Sequence, residues 1–135
     1  MSRSGKGSDR QRDIFRQLDE LIDGWEPSQP IYSKELADLI GVSIRTLQNA
    51  TPRTKGMSLH GYVRWKRLMA ARQKLQHGAP SVKDAALESG FCHLGDFAQR
   101  YQKLFGELPS STLQSARLRL AKRAKEIASD RESFA

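Results

Sequence analysis

Apolar residues recur along most of this chain every three or four positions, and nowhere do they alternate with polar ones over a strand's length. That periodicity predicts an all-α fold. The first helix starts at Asp13, where Ile14, Leu18, Leu21, Ile22 and Trp25 form one stripe that Gly24, Pro27 and Pro30 close. Ahead of it, residues 1–12 are rich in Ser, Gly and charge and read as a flexible lead. Ser33 is placed to cap a second, short helix reaching Ile40, Gly41 offers the positive φ of a tight turn, and Ser43 can cap a third helix. Ser58 opens a long helix to about Gln76, ended by His77 and Gly78. Ser81 and Asp84 form a capping-box-like Ser-x-x-Asp that opens a helix toward Gly90. Another helix runs from Leu94 to Phe105 with Gly106 as its stop, and beyond Pro109 the stripe of Leu113, Ala116, Leu120, Ala124 and Ile127 continues until residues 129–135 fray. About seven helices result.

Two of these helix pairs carry the same arrangement. A helix-turn-helix needs a small residue where two helices cross closely, a glycine at the turn, and apolar residues that lock the second helix. Ala37, Gly41, Val42 and Leu47 meet those demands, and Ala86, Gly90, Phe91 and Phe97 repeat them with about one extra residue in the turn. Phe97, Tyr101 and Phe105 fall on one stripe and are assigned to core rather than to base stacking. Between the pairs, the long helix would span roughly 28 Å at about 1.5 Å per residue. Two such units on a rigid helix can address successive major-groove segments of a duplex, whose turn is about 34 Å. Tyr62, Trp65, Leu68, Met69 and Leu75 would form the buried side of that linker, and Arg64, Arg67, Arg72 and Lys74 its cationic side.

Composition narrows the partner. The chain has 135 residues, a formal charge of +8 and a sequence pI near 10.0. Residues 1–30 are nearly balanced, so the cationic excess lies in the folded middle and the tail, which favours a polyanion. One cysteine, Cys92, excludes an intrachain disulfide and a Cys-rich zinc site. No apolar run approaches the roughly 20 residues of a membrane span, and there is no signal-peptide core, so the expected location is the cytoplasm.

The segment SVKDAALESGFCHLGDFAQRYQKLFGELPSSTL resembles the second half of the AraC/XylS-type regulator DNA-binding domain, and LADLIGVSIRTLQ followed by GMSLHGYVRWKRLMAARQKL is similar to its first half. The resemblance covers residues 13–115, divided into a first unit at 31–57, a linker helix at 58–77 and a second unit at 80–107, with 116–135 as a basic helical tail. It implies a sequence-specific regulator that binds an asymmetric promoter site in double-stranded DNA, activates transcription and contacts RNA polymerase. The expected state is a monomer on DNA, unless the chain belongs to a longer one with a dimerising domain. By position, Arg45, Gln48 and Asn49 of the first recognition helix would reach base edges, as would His93, Gly95, Asp96, Gln99 and Arg100 of the second. Arg can bond guanine in a bidentate manner, Gln or Asn can bond adenine, and a carboxylate can accept from cytosine. Asp96 must gain more from a base or from orienting an arginine than it loses to phosphate repulsion, and capping its own helix is its rival role. Ser43, Arg64, Arg67, Arg72 and Lys103 are the expected phosphate contacts.

One departure stands out. The family pattern has a large aromatic and a helix-favouring residue where this chain has Thr51 and Pro52. An internal proline costs about 3 kcal/mol, so the first recognition helix is expected to stop near Ala50 and to read less than the second.

Other classes find less support. No Ser/His/Asp or Cys/His spacing suggests catalysis, His60, His77 and His93 are too dispersed for a metal site, and no glycine-rich loop suggests a nucleotide or other cofactor. The chief alternative is a helix-turn-helix adaptor that binds polymerase or a partner regulator and has lost DNA reading through the weakened first helix. Insertion of the tail into a membrane surface lacks aromatic anchors.

Overall fold

The computed structural model describes residues 2–133, which form seven α-helices and, among the described residues, no strand. The chain divides into two units, one ending at Arg67 and the other beginning at Leu68. The boundary falls within α4 (Leu59–Gln76), so this helix contributes its first half to one unit and its second half to the other.

The first unit contains α1 (Ser2–Asp23), α2 (Ser33–Ile40) and α3 (Ile44–Lys55). Helix α1 begins at Ser2 rather than at Asp13, so helical backbone extends through the stretch expected to be a flexible lead. Its apolar stripe still starts where the pattern places it. Ile14, Phe15, Leu18 and Ile22 bury against Leu36 and Ala37 of α2, Leu47 of α3, and Leu59 and Tyr62 of α4. Ser33 does not cap α2. Tyr32 has the extended backbone of the cap position and its carbonyl accepts from the Leu36 amide at 3.1 Å, so Ser33 already lies inside the first turn. Gly41 makes the turn with φ 86°, and its amide and that of Val42 both donate to the Ala37 carbonyl.

Helix α3 corrects the expectation of a break at Ala50, since it runs through Pro52 to Lys55. Pro52 has no amide for the Gln48 carbonyl, but its neighbours hold the helical path. Thr51 is wholly buried and its hydroxyl donates to the Leu47 carbonyl at 2.6 Å. One turn later Lys55 places its ammonium 5.4 Å from the Phe15 ring centre and 5.5 Å from that of Tyr62. Burial and cation–π attraction thus offset the proline. Tyr62 also donates a hydrogen bond to Asp19, and Lys66 sits 3.0 Å from Asp23 and 3.5 Å from Asp19, fastening α4 to α1. Burial first, then the bond to Asp19 and the charges of Asp19 and Asp23, push the Tyr62 phenol well up from its ordinary value.

The second unit contains the rest of α4 with α5 (Val82–Glu88), α6 (Leu94–Phe105) and α7 (Pro109–Ser133). Its core joins Leu68, Ala71 and Leu75 to Ala85, Ala86, Phe97, Tyr101 and Leu113. Phe91, Phe97, Tyr101 and Phe105 form a chain of tilted ring contacts with centre distances of 5.0, 5.7 and 4.6 Å. The Tyr101 hydroxyl meets Thr112 at 2.7 Å, and Thr112 donates to Glu107 at 2.8 Å. Met69, expected on the buried side of α4, lies at the surface. Helix α7 buries Leu113 and Ala116, but Leu120 and Ile127 are exposed, so its stripe is core only at the start. Over 129–133 the helix continues without the expected fraying, and Phe134 and Ala135 lie outside the described residues.

Two outcomes follow. Pro52→Ala restores an amide for the Gln48 carbonyl and is expected to stabilise the chain by about 1–3 kcal/mol, read as a higher urea midpoint; an unchanged or lower midpoint would show that the proline is not a burden. Because the folded Tyr62 phenol resists ionisation, its contribution is complete below about pH 10 and declines as pH rises further. The stability gap between wild type and Tyr62→Phe should therefore narrow as pH rises above about 10, and a gap independent of pH would contradict this.

Candidate nucleic-acid interface

Each unit offers one helix that is held from behind and open in front. In α3 the Ser43 hydroxyl accepts from the Thr46 amide at 3.0 Å, capping the helix start, while Leu47 and Thr51 bury the inner face. The residues at positions 45, 48 and 49 share the opposite side by helical spacing, and Arg45, Gln48 and Asn49 are all exposed. Arg53 and Lys55 occupy the last turn, where cations suit the negative helix end.

In α6 the inner face is Phe97 and Tyr101, each without exposed surface. His93 occupies the cap position with no side-chain capping bond, and His93, Gly95, Asp96 and Gln99 are exposed, with Arg100 half-buried. Asp96 lies in the first turn and accepts from Nε of Arg100 at 2.9 Å. The carboxylate is therefore engaged with an arginine, not with the helix-capping role considered from sequence. A methyl group on Gly95 would meet no described protein atom within 4 Å, so the fold itself does not require a glycine there.

The expected phosphate contacts are differently placed. Lys103 is exposed in the last turn of α6, and Arg64 and Arg67 are half-buried on α4. Ser43 is exposed, but its hydroxyl is engaged with the Thr46 amide and hydroxyl. Arg72 lies with its guanidinium 4.5 Å from the Phe105 ring centre and with a buried Nε, so it packs against the aromatic chain of the second unit. Spacing identified Arg72 as a cation without revealing that ring, which is distant in sequence.

Sequence reasoning also missed a support for the second helix pair. Lys74 of α4 donates to the Glu88 carbonyl at 2.8 Å, satisfying an open carbonyl at the end of α5. Ser81 caps the other end of α5 as expected, accepting from the Asp84 amide at 3.0 Å and donating to its carboxylate. Cys92 is an exposed free thiol just before α6. Among the described residues there is no cluster of three or more His, Cys, Asp or Glu able to hold a metal, and no helix long and apolar enough to cross a membrane.

Comparison with known proteins places these two helix pairs. A helix-turn-helix domain family model matches residues 36–115. The chain is 36% identical over 91 residues to the XylDLEGF operon transcriptional activator of Pseudomonas putida, an overlap of 65% of this chain and 28% of that protein. It is 32% identical over 117 residues to the HTH-type transcriptional activator RhaS of Pectobacterium atrosepticum, covering 83% of this chain and 39% of that one. The chain thus spans well under half the length of these relatives. A solved structure, a probable AraC family transcriptional regulator from Rhodopseudomonas palustris, superimposes with a TM-score of 0.66 at 40% identity, covering 76% of this chain and 96% of the other. With its two capped, core-locked helix pairs, the chain belongs to the AraC/XylS family of transcription regulators and carries that family's all-helical DNA-binding domain, a binding module and not an enzyme.

Proposed function

We propose that the chain binds an asymmetric site in double-stranded DNA as a monomer, with α3 reading one box and α6 an adjacent box in the next major-groove segment, and that it activates transcription through contact with RNA polymerase. The observation that carries this reading is the division of both helices into a core-locked inner face and an exposed polar outer face. Arg45, Gln48 and Asn49 lie outside on α3, and His93, Gly95, Asp96, Gln99 and Arg100 lie outward or at the flank of α6. These side chains differ between the two helices, which supports an asymmetric site. Ser43, Arg64, Arg67 and Lys103 would hold the backbone, and the net charge of +8 suits that role. Arg72, packed on Phe105, would steady the second unit more than it touches phosphate. Activation is supported by the names of the two curated relatives, both transcriptional activators. The compartment implied is the cytoplasm, where a bacterial chromosome is reached.

The adaptor alternative drew on a truncated first reading helix. Because α3 continues to Lys55, that premise is gone, and so is the reason to expect the second unit to dominate.

Selection of bound sequences from random DNA is expected to return a site with two boxes. Alanine at Arg45 and Gln48 should relax one box and alanine at Gln99 and Arg100 the other, each losing about 1–3 kcal/mol of discrimination per bidentate contact. Affinity should fall steeply with salt, log K dropping by about 0.9 per phosphate contact per log unit. A complex that shows neither sequence preference nor this slope would end the proposal. Gly95 gives a sharper check. Alanine there should leave the free chain as stable or raise its stability by up to about 1 kcal/mol, while weakening binding because the added methyl faces the DNA. Undiminished affinity would place Gly95 away from the duplex.

A further inference from the structure

The bond between Asp96 and Arg100 links residues one turn apart on the outer face of α6. Both side chains remain partly open to solvent, 53% for Asp96 and 39% for Arg100, so the pair is not part of the core. Resting on the DNA-reading function proposed above, we infer that Asp96 is a positioning residue that holds Arg100 ready to present its two Nη groups to a guanine.

Direction is the first argument. Helical side chains lean toward the helix N-terminus, and a bond from residue 100 back to residue 96 draws the guanidinium farther that way, toward the first turn. The N-terminal residues of a recognition helix are the ones that meet base edges. Donor geometry is the second. Asp96 is bonded to Nε, which leaves the edge formed by the two Nη groups open. Parallel N–H groups on that edge match O6 and N7 of guanine. The third argument concerns freedom and charge. An arginine loose in solvent loses rotamer entropy when a base immobilises it, whereas one already tethered loses less and is less able to turn toward another base. Asp96 stands in the first turn of α6, where the positive end of the helix favours its charge, and its pairing with Arg100 offsets the repulsion an isolated carboxylate would meet beside phosphates.

The test is random-sequence selection with the full chain and the variants Arg100→Lys, Asp96→Ala, Asp96→Asn and Asp96→Glu, alongside thermal melting of each. Arg100→Lys is expected to flatten a guanine preference at one base pair. Asp96→Ala and Asp96→Asn should flatten the same position by about fivefold or more, the lower end of a bidentate contact, while other positions keep their preferences and melting is unmoved. Asp96→Glu, which can still reach an arginine one turn away, should restore part of the preference. Three results would overturn the inference. If Arg100→Lys flattens the guanine position and Asp96→Ala does not, Asp96 has no positioning role, although Arg100 still reads DNA. If Asp96→Ala alters a different position, Asp96 contacts a base itself. If Arg100→Lys changes no position, the reading of Arg100 as a base contact falls and this inference with it.

Discussion

A helix can offer one chosen face to a groove only if its opposite face cannot roll, and in this protein that constraint rests on Leu47 and Phe97. Neither has any surface left to solvent. Leu47 is enclosed by α1, α2 and α4, and Phe97 by Ala85 and Ala86 together with Phe91 and Tyr101. Ala37 and Ala86 matter for the same reason, since small side chains at these crossings let the paired helices approach closely. With those faces locked, the exposure of Arg45, Gln48, Gln99 and their neighbours follows from helical geometry alone.

The lock on α3 has a second part. A proline in its last turn ought to release the helix end, yet Thr51 before it is bonded back within the helix and Lys55 after it is tied to rings that local sequence does not reveal. Thr51 is wholly buried, with its hydroxyl turned back to the Leu47 carbonyl. Lys55 reaches the rings of Phe15 and Tyr62, which lie on two other helices. Since Tyr62 also bonds Asp19 and Lys66 pairs with Asp23, helix α1 stabilises α3, which it never adjoins in sequence.

Arginines illustrate how one side-chain type is put to different uses. Arg72 spreads its guanidinium over Phe105 and serves the core of the second unit, whereas Arg100 is tied to Asp96 on the open side of α6. Composition counts both as cations. Only their surroundings separate an arginine stacked on a ring from one paired with a carboxylate, because a planar guanidinium can stack on an aromatic ring as readily as it can form parallel hydrogen bonds.

The sequence by itself determined what depends on groups within a turn or so of one another. Ser43, Ser58 and Ser81 cap the helices expected of them, Gly41 and Gly106 stop theirs, and the period of apolar residues marks nearly all of the core. Both helix pairs, and the polar residues on their outer faces, were legible for the same reason. Tertiary structure decided the persistence of α3 past Pro52, the role of Arg72, the exposure of Met69 and the bare outer stretch of α7. Each of these turns on whether a group distant along the chain arrives to cover a face or satisfy a charge, and a one-dimensional pattern records only which residues could be covered, not which ones find a neighbour.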